Sequence, residues 1–290
     1  MTAYVLAVLS AFSFALGSVL QQRGTLQTSA AEGDPRFLAE IIRKPVWLIG
    51  GLLQVCGWVL QAAALNRGSL VVVQSLCALS LVFALPLGVR LTNQRVGRRS
   101  IIGACATFFG IVFFVAVGQP QGGTSQPEEK AWWVSGLIIV ALMLLLAVQA
   151  RRRRGAVAAA LFATAAGLGF AFQAAVTKVF MTQIGYGLSA ILSTWTTYAL
   201  IASALAGFVL QQSALKTGFL APAMAASNVA TLVMSVLLGV TVFQETLSNG
   251  QDRLIPALIG LALAIVGVVL LASPEPGSLA VESNKEVVRR

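Results

Sequence analysis

Nine stretches of about 17–25 mostly apolar residues run through the chain, each long enough to cross roughly 30 Å of hydrocarbon as a helix. They lie near 3–20, 46–65, 69–89, 100–118, 132–150, 155–177, 188–210, 218–243 and 255–273. Inside a bilayer no water is available to satisfy backbone N–H and C=O groups, so a spanning segment must be a helix or part of a closed barrel. Unbroken apolar runs of this length select helices. With 57% hydrophobic and only 10% charged residues, a soluble fold has too little polar surface to cover such a core. The expected class is an all-α membrane protein of about nine transmembrane helices.

The net charge of +10 invites a nucleic-acid reading, but its placement argues for a bilayer. When loops are assigned alternately to two sides, sixteen of the twenty basic residues fall on one side, among them Arg98, Arg99 and the Arg151–Arg154 run. Such a bias marks the cytoplasmic face. The expected placement is multi-pass in the cytoplasmic (inner) membrane, with the N-terminus outside and the C-terminus inside. The basic loops lack interleaved aromatic residues, so no nucleic-acid partner is expected.

A repeat narrows the fold further. Leu60-Gln61-Ala62-Ala63-Ala64-Leu65-Asn66-Arg67-Gly68 returns as Leu210-Gln211-Gln212-Ser213-Ala214-Leu215-Lys216-Thr217-Gly218, identical at five of nine positions. Phe14-Ala15 returns as Phe170-Ala171, Leu87-Gly88-Val89 as Leu238-Gly239-Val240, and the Gly103/Gly110 pair as Gly260/Gly267. Spans 1–4 thus match spans 6–9 across an odd number of crossings, which turns the second copy upside down. Span 5 has no partner, as in a five-plus-five plan without its first helix. The expected organisation is a 4 + 5 inverted-repeat bundle. A first repeat covers 1–118, an external linker 119–131, a second repeat with unpaired span 5 132–273, and a cytoplasmic tail 274–290. The linker reads as flexible, and residues 36–44 read as a short helix on the membrane surface. Inverted repeats enclosing a midplane site are a common basis for alternating access in secondary transporters.

Polar side chains in hydrocarbon are costly unless satisfied, so those inside spans are the candidate substrate-binding residues. Gln54, Trp58 and Gln61 share one face of span 2. Gln74 and Ser75 lie near the outer end of span 3, and Gln173 and Thr177 share a face of span 6. Trp195 and Tyr198 stand in the outer half of span 7, and Asn228 lines span 8 with Thr231 and Ser235. Lys178 is expected to snorkel to the outer interface, and Trp132 and Trp133 to join an aromatic belt. All ten acidic residues fall in loops, tails or span ends, and histidine is absent. The expected cavity therefore holds no buried acid, no metal, no cofactor and no catalytic group. Cys56, Cys77 and Cys105 read as small core residues.

The stretches Ala64–Ser75 and Ala214–Pro222, with Val240-Thr241-Val242-Phe243-Gln244-Glu245-Thr246-Leu247 as a span-ending Glu-x-Leu element, resemble the drug/metabolite transporter superfamily and its EamA-like members. The nine-span count, Ser69-Leu70-Val71 and Gly17-Ser18-Val19-Leu20-Gln21-Gln22-Arg23-Gly24 are similar to the NIPA-type magnesium transporter branch. That branch implies a carboxylate in the second span, where Gln54–Leu65 has none. The resemblance implies a secondary transporter of a small solute or metabolite. The alternatives are a magnesium transporter and a non-transporting partner subunit. A homodimer remains open.

Overall fold

A computed structural model describes residues 1–26, 43–92, 97–124, 127–184, 187–215, 217, 220–246 and 251–272. The expected surface helix falls largely, and the tail wholly, outside these residues. The elements in chain order are α1 (Thr2–Leu26), α2 (Pro45–Leu65), α3 (Leu70–Cys77), α4 (Ser80–Thr92), α5 (Arg98–Gly118), β1 (Gln121–Gly122), α6 (Glu129–Arg151), α7 (Gly155–Gln183), α8 (Leu188–Ser193), α9 (Trp195–Leu215), α10 (Leu220–Thr241), β2 (Glu245–Thr246) and α11 (Gln251–Ala272). Pro45 starts α2, where its missing N–H costs nothing.

Among the described residues, eight helical segments are long and apolar enough to cross a membrane, α3 and α4 together counting as one. The expected seventh span, 188–210, is the exception. It is split at the extended residue Thr194 into α8 and α9. Thr196, Thr197 and Tyr198 at one end of α9, and Gln211, Gln212 and Ser213 at the other, dilute its apolar character.

α1 packs on α2 and on the broken pair α3–α4, and α7 packs on α9 and α10. The neighbours of α7 in the second half thus follow those of α1 in the first. One side-chain contact recurs with them: the Phe14 ring lies against Gly57, and the Phe170 ring against Gly207. α5 and α11 form the largest helix pair, and α10 joins α3 to α11. At the α5–α11 crossing a methyl group on Gly260 would come within 2.8 Å of the Phe114 backbone nitrogen. The two backbones meet there directly, with the Phe113 ring alongside, the packing that lipid favours because burial from water drives little helix association. α6 leans mainly on α7. An apolar crevice of about 430 Å³ separates it from α9, between Met143, Leu144 and Ala147 on one wall and Leu205 and Val209 on the other.

Alternating chain direction gathers several segments at the end of the bundle that carries Met1. Gly68 abuts Ala3, the β1–β2 ladder pairs Gln121 with Thr246 and Gly122 with Glu245, and the Trp132 ring meets those of Trp195 and Phe243. The 119–131 linker therefore contributes a paired strand at 121–122, not only a flexible loop. Arg151 ends α6 at the opposite end, and Arg152–Arg154 follow it there.

The bare crossing yields a prediction. Gly110→Val forces a branched side chain into the α11 backbone at Ala264, and overpacking of this kind costs about 1–3 kcal/mol. The variant is expected to lose thermal stability in detergent. Gly51→Ala, whose nearest neighbour is a Gln21 side-chain atom 3.8 Å away, is expected to match the parent.

Candidate functional site: a buried carboxylate cradle

The third span begins with a half-helix. Ser69, extended at φ −65° and ψ 141°, caps α3 by accepting the Val72 N–H at 3.2 Å. That leaves the N–H groups of Leu70 and Val71 open at the positive end of the helix dipole. Both go to Glu245. Leu70 N donates to Oε1 at 2.6 Å and Val71 N to Oε2 at 3.0 Å. The Ser69 hydroxyl adds a bond to Oε2 at 2.8 Å, and the Lys178 ammonium donates to Oε1 at 2.5 Å. Each carboxylate oxygen thus takes two donors. The Glu245 side chain is fully buried and that of Lys178 is 11% exposed.

The local chain explains how an acid outside any span reaches this position. α10 ends at Thr241, and Gln244 adopts a left-handed φ of 54°, which turns the backbone so that Glu245 points inward. A carbonyl of the same turn, that of Phe243, accepts the Thr124 N–H at 2.7 Å. Gly239 clears the approach, because a Cβ there would lie 2.7 Å from Oε2 of Glu245. Gly123, at φ +90°, would with a Cβ come 2.8 Å from Glu245 Cγ. Over the pair sits an aromatic lid. Lys178 Nζ lies 4.7 Å from the Phe243 ring centre, and Trp132 meets Phe172, Trp195 and Phe243 edge-on at 5.4–5.9 Å.

Three sequence expectations are corrected here. Glu245 belongs to a span end, as read, yet its carboxylate is buried, so the interior does hold an acid. Lys178 does not snorkel, because the nearby carboxylate and ring neutralise it within the protein. Trp132 is only 7% exposed and belongs to the lid, whereas Trp133, 73% exposed, stands outside as a belt residue does.

The candidate binding residues divide into groups. Gln74 and Ser75 are buried on α3, one turn below the cradle. The Ser75 hydroxyl bonds back to the Val71 carbonyl, while the Gln74 amide nitrogen has no hydrogen-bond partner. Ser235 on α10 is also buried with an unpartnered hydroxyl. Gly239 faces Val71 across antiparallel helices, so Ser235, four residues deeper, comes level with the Gln74–Ser75 turn, about 6 Å below the carboxylate. Thr177, beside Lys178, donates to the Gln173 carbonyl one turn down, and Gln173 is half-buried.

The span 2 face is less unified. The Gln54 amide donates to Ser18 Oγ at 2.8 Å and Phe14 O at 3.4 Å, tying α2 to α1. Trp58 packs on the main core, and Gln61 lies beside the Cys77 thiol, itself near Ser10. Asn228 bonds to the Met224 carbonyl of its own helix. Trp195 belongs to the lid, and Tyr198, 63% exposed, bonds to the Leu192 carbonyl. The structure therefore brings Gln74, Gln173, Thr177 and Trp195 to the neighbourhood of the ion pair, and leaves Gln54, Tyr198 and Asn228 with partners elsewhere. Sequence reasoning named Ser69, Lys178 and Glu245 but did not place them among the binding residues. The available signal was electrostatic: a lysine within an apolar span needs an anion, and Glu245 directly follows the span beside it.

A double-mutant cycle tests the pair. Removing one member of a buried ion pair costs about 3–5 kcal/mol because the other charge is stranded. Lys178→Met and Glu245→Gln are each expected to lower unfolding stability in detergent by such an amount. The double variant is expected to lose much less than the sum.

An uncharacterized protein of Corynebacterium glutamicum is 28% identical to this chain over 273 residues, 93% of this chain and 94% of the relative. The similarity therefore runs over most of the chain. No family model and no solved structure matches the chain.

Proposed function

We propose that the protein is a multi-pass secondary transporter of the cytoplasmic membrane, moving a small solute by alternating access between two inverted repeats. The observation that carries this reading is the cradle. Ser69, Leu70 and Val71 come from the first repeat, while Lys178 and Glu245 come from the second. A buried charge pair of the second half, held by donors from the first, closes one end of a bundle, and unpartnered polar groups wait one turn deeper. Half-helices with an open N-terminus are a recurrent feature of solute sites in transporters.

The matching neighbours of α1 and α7, and the recurring Phe–Gly contacts, support the repeat. The bias of basic residues toward the end opposite Met1 supports an external N-terminus and external cradle. The magnesium reading gains less support. Among the described residues no cluster of His, Cys, Asp or Glu has metal-binding spacing, and the one buried carboxylate already has both oxygens filled by donors. A dry divalent-cation site wants several such oxygens.

Two experiments follow. In a variant with Cys56, Cys77 and Cys105 replaced by alanine, a membrane-impermeant thiol reagent is expected to label Thr2→Cys from outside and Arg152→Cys only from inside. Labelling of both from one side would exclude the topology. In the same background Gln121→Cys with Thr246→Cys occupies directly paired ladder positions, about 4.5–5.5 Å apart at Cα, within disulfide reach. Oxidation is expected to stop solute flux in proteoliposomes and reductant to restore it. Flux indifferent to the cross-link would count against opening at this end.

A further inference from the structure

Building on the carrier reading, we infer that the cradle is the recognition site for the carboxylate of the transported solute, and that Glu245 is a tethered competitor occupying it while the site is empty. The substrate class is a small hydrophilic carboxylic acid.

Ser69 Oγ, two α3 N–H groups and the Lys178 ammonium form a complete donor set for one carboxylate. Nothing in that set is specific to a glutamate side chain. The donors sit on α3 and α7, and the acid arrives from a different element, the chain after α10, where Glu245 pairs with Gly122 and the neighbouring Phe243 is anchored in the core. The donors stay in place when the Glu245 side chain alone swings out. Two further observations point to an occupant larger than one carboxylate: the Gln74 amide nitrogen and the Ser235 hydroxyl are buried without partners. Buried polar groups are rarely left unbonded, and exceptions call for a missing partner. An acid seated in the cradle with a polar group on its carbon skeleton supplies one.

Charge ties the exchange to the gate. If Glu245 leaves an empty cradle, Lys178 is buried without an anion, which is strongly unfavourable. If a solute carboxylate takes its place, the count of charges in the site is unchanged. The external end then opens without stranding Lys178 only when an acid replaces Glu245.

The test uses the full-length protein in detergent and in proteoliposomes, with lactate and 4-hydroxybutyrate as probes and lactamide and 4-hydroxybutyramide as neutral controls. The acids are expected to raise the melting temperature of the wild type saturably, and the amides are not. Glu245→Gln removes the competing charge and is expected to bind the acids about tenfold tighter, equivalent to ~1.4 kcal/mol. Lys178→Met is expected to abolish the effect. Should a variant fail to fold, the acid–amide contrast in the wild type still decides. Equal response to acids and amides overturns the assignment. Acid binding without flux of labelled acid upholds the site but overturns the carrier reading. Flux of a neutral solute, unaffected by acids, upholds the carrier and overturns the carboxylate site.

Discussion

One carboxylate with four donors organises the Met1 end of this protein. In a medium of low polarity an unpaired charge is prohibitive, so Glu245 and Lys178 are each tolerable only because of the other. Their pairing fixes several elements at once. The α3 half-helix must start at Ser69, the chain after α10 must turn left-handed at Gln244, and Gly123 and Gly239 must lack side chains. A buried ion pair is weak evidence for net stability, because desolvation offsets much of the attraction. What the Glu245 carboxylate adds, through its bonds to Ser69, Leu70 and Val71, is registry between the second half of the chain and the first.

The helical architecture was largely legible in the residues. Apolar length located eight spans within a few positions, because lipid leaves the backbone no alternative to the helix. The α8–α9 region was harder. Its polar residues lie at both helix ends, and a break at Thr194 carries no proline or glycine to announce it. Repeat matches such as Phe14/Phe170 were visible as letters, but their meaning emerged in space, where each ring sits on a glycine of the next matching helix.

The site was only half legible. Gln74 was singled out for being polar within a span, and it does lie beside the cradle. Gln54 was singled out on the same ground, yet it bridges α1 and α2 through Ser18 and Phe14. Polarity in a span marks a group that needs a partner and does not say whether that partner is a neighbouring helix or a solute. Glu245 was recognised only as part of a span-ending element, and not as a buried group, for the complementary reason. Position along the chain placed it outside a span, and only the backbone turn at Gln244 carries it back inside.

The α5–α11 crossing has a mechanical consequence. Long interlocked side chains resist rotation of one helix against another, whereas at Gly110 and Gly260 the two backbones touch directly. If the two halves of the chain rock, this close backbone contact is the natural axle. The work of switching would then be concentrated at the far rim, where Glu245 must leave the donors of Ser69, Leu70 and Val71.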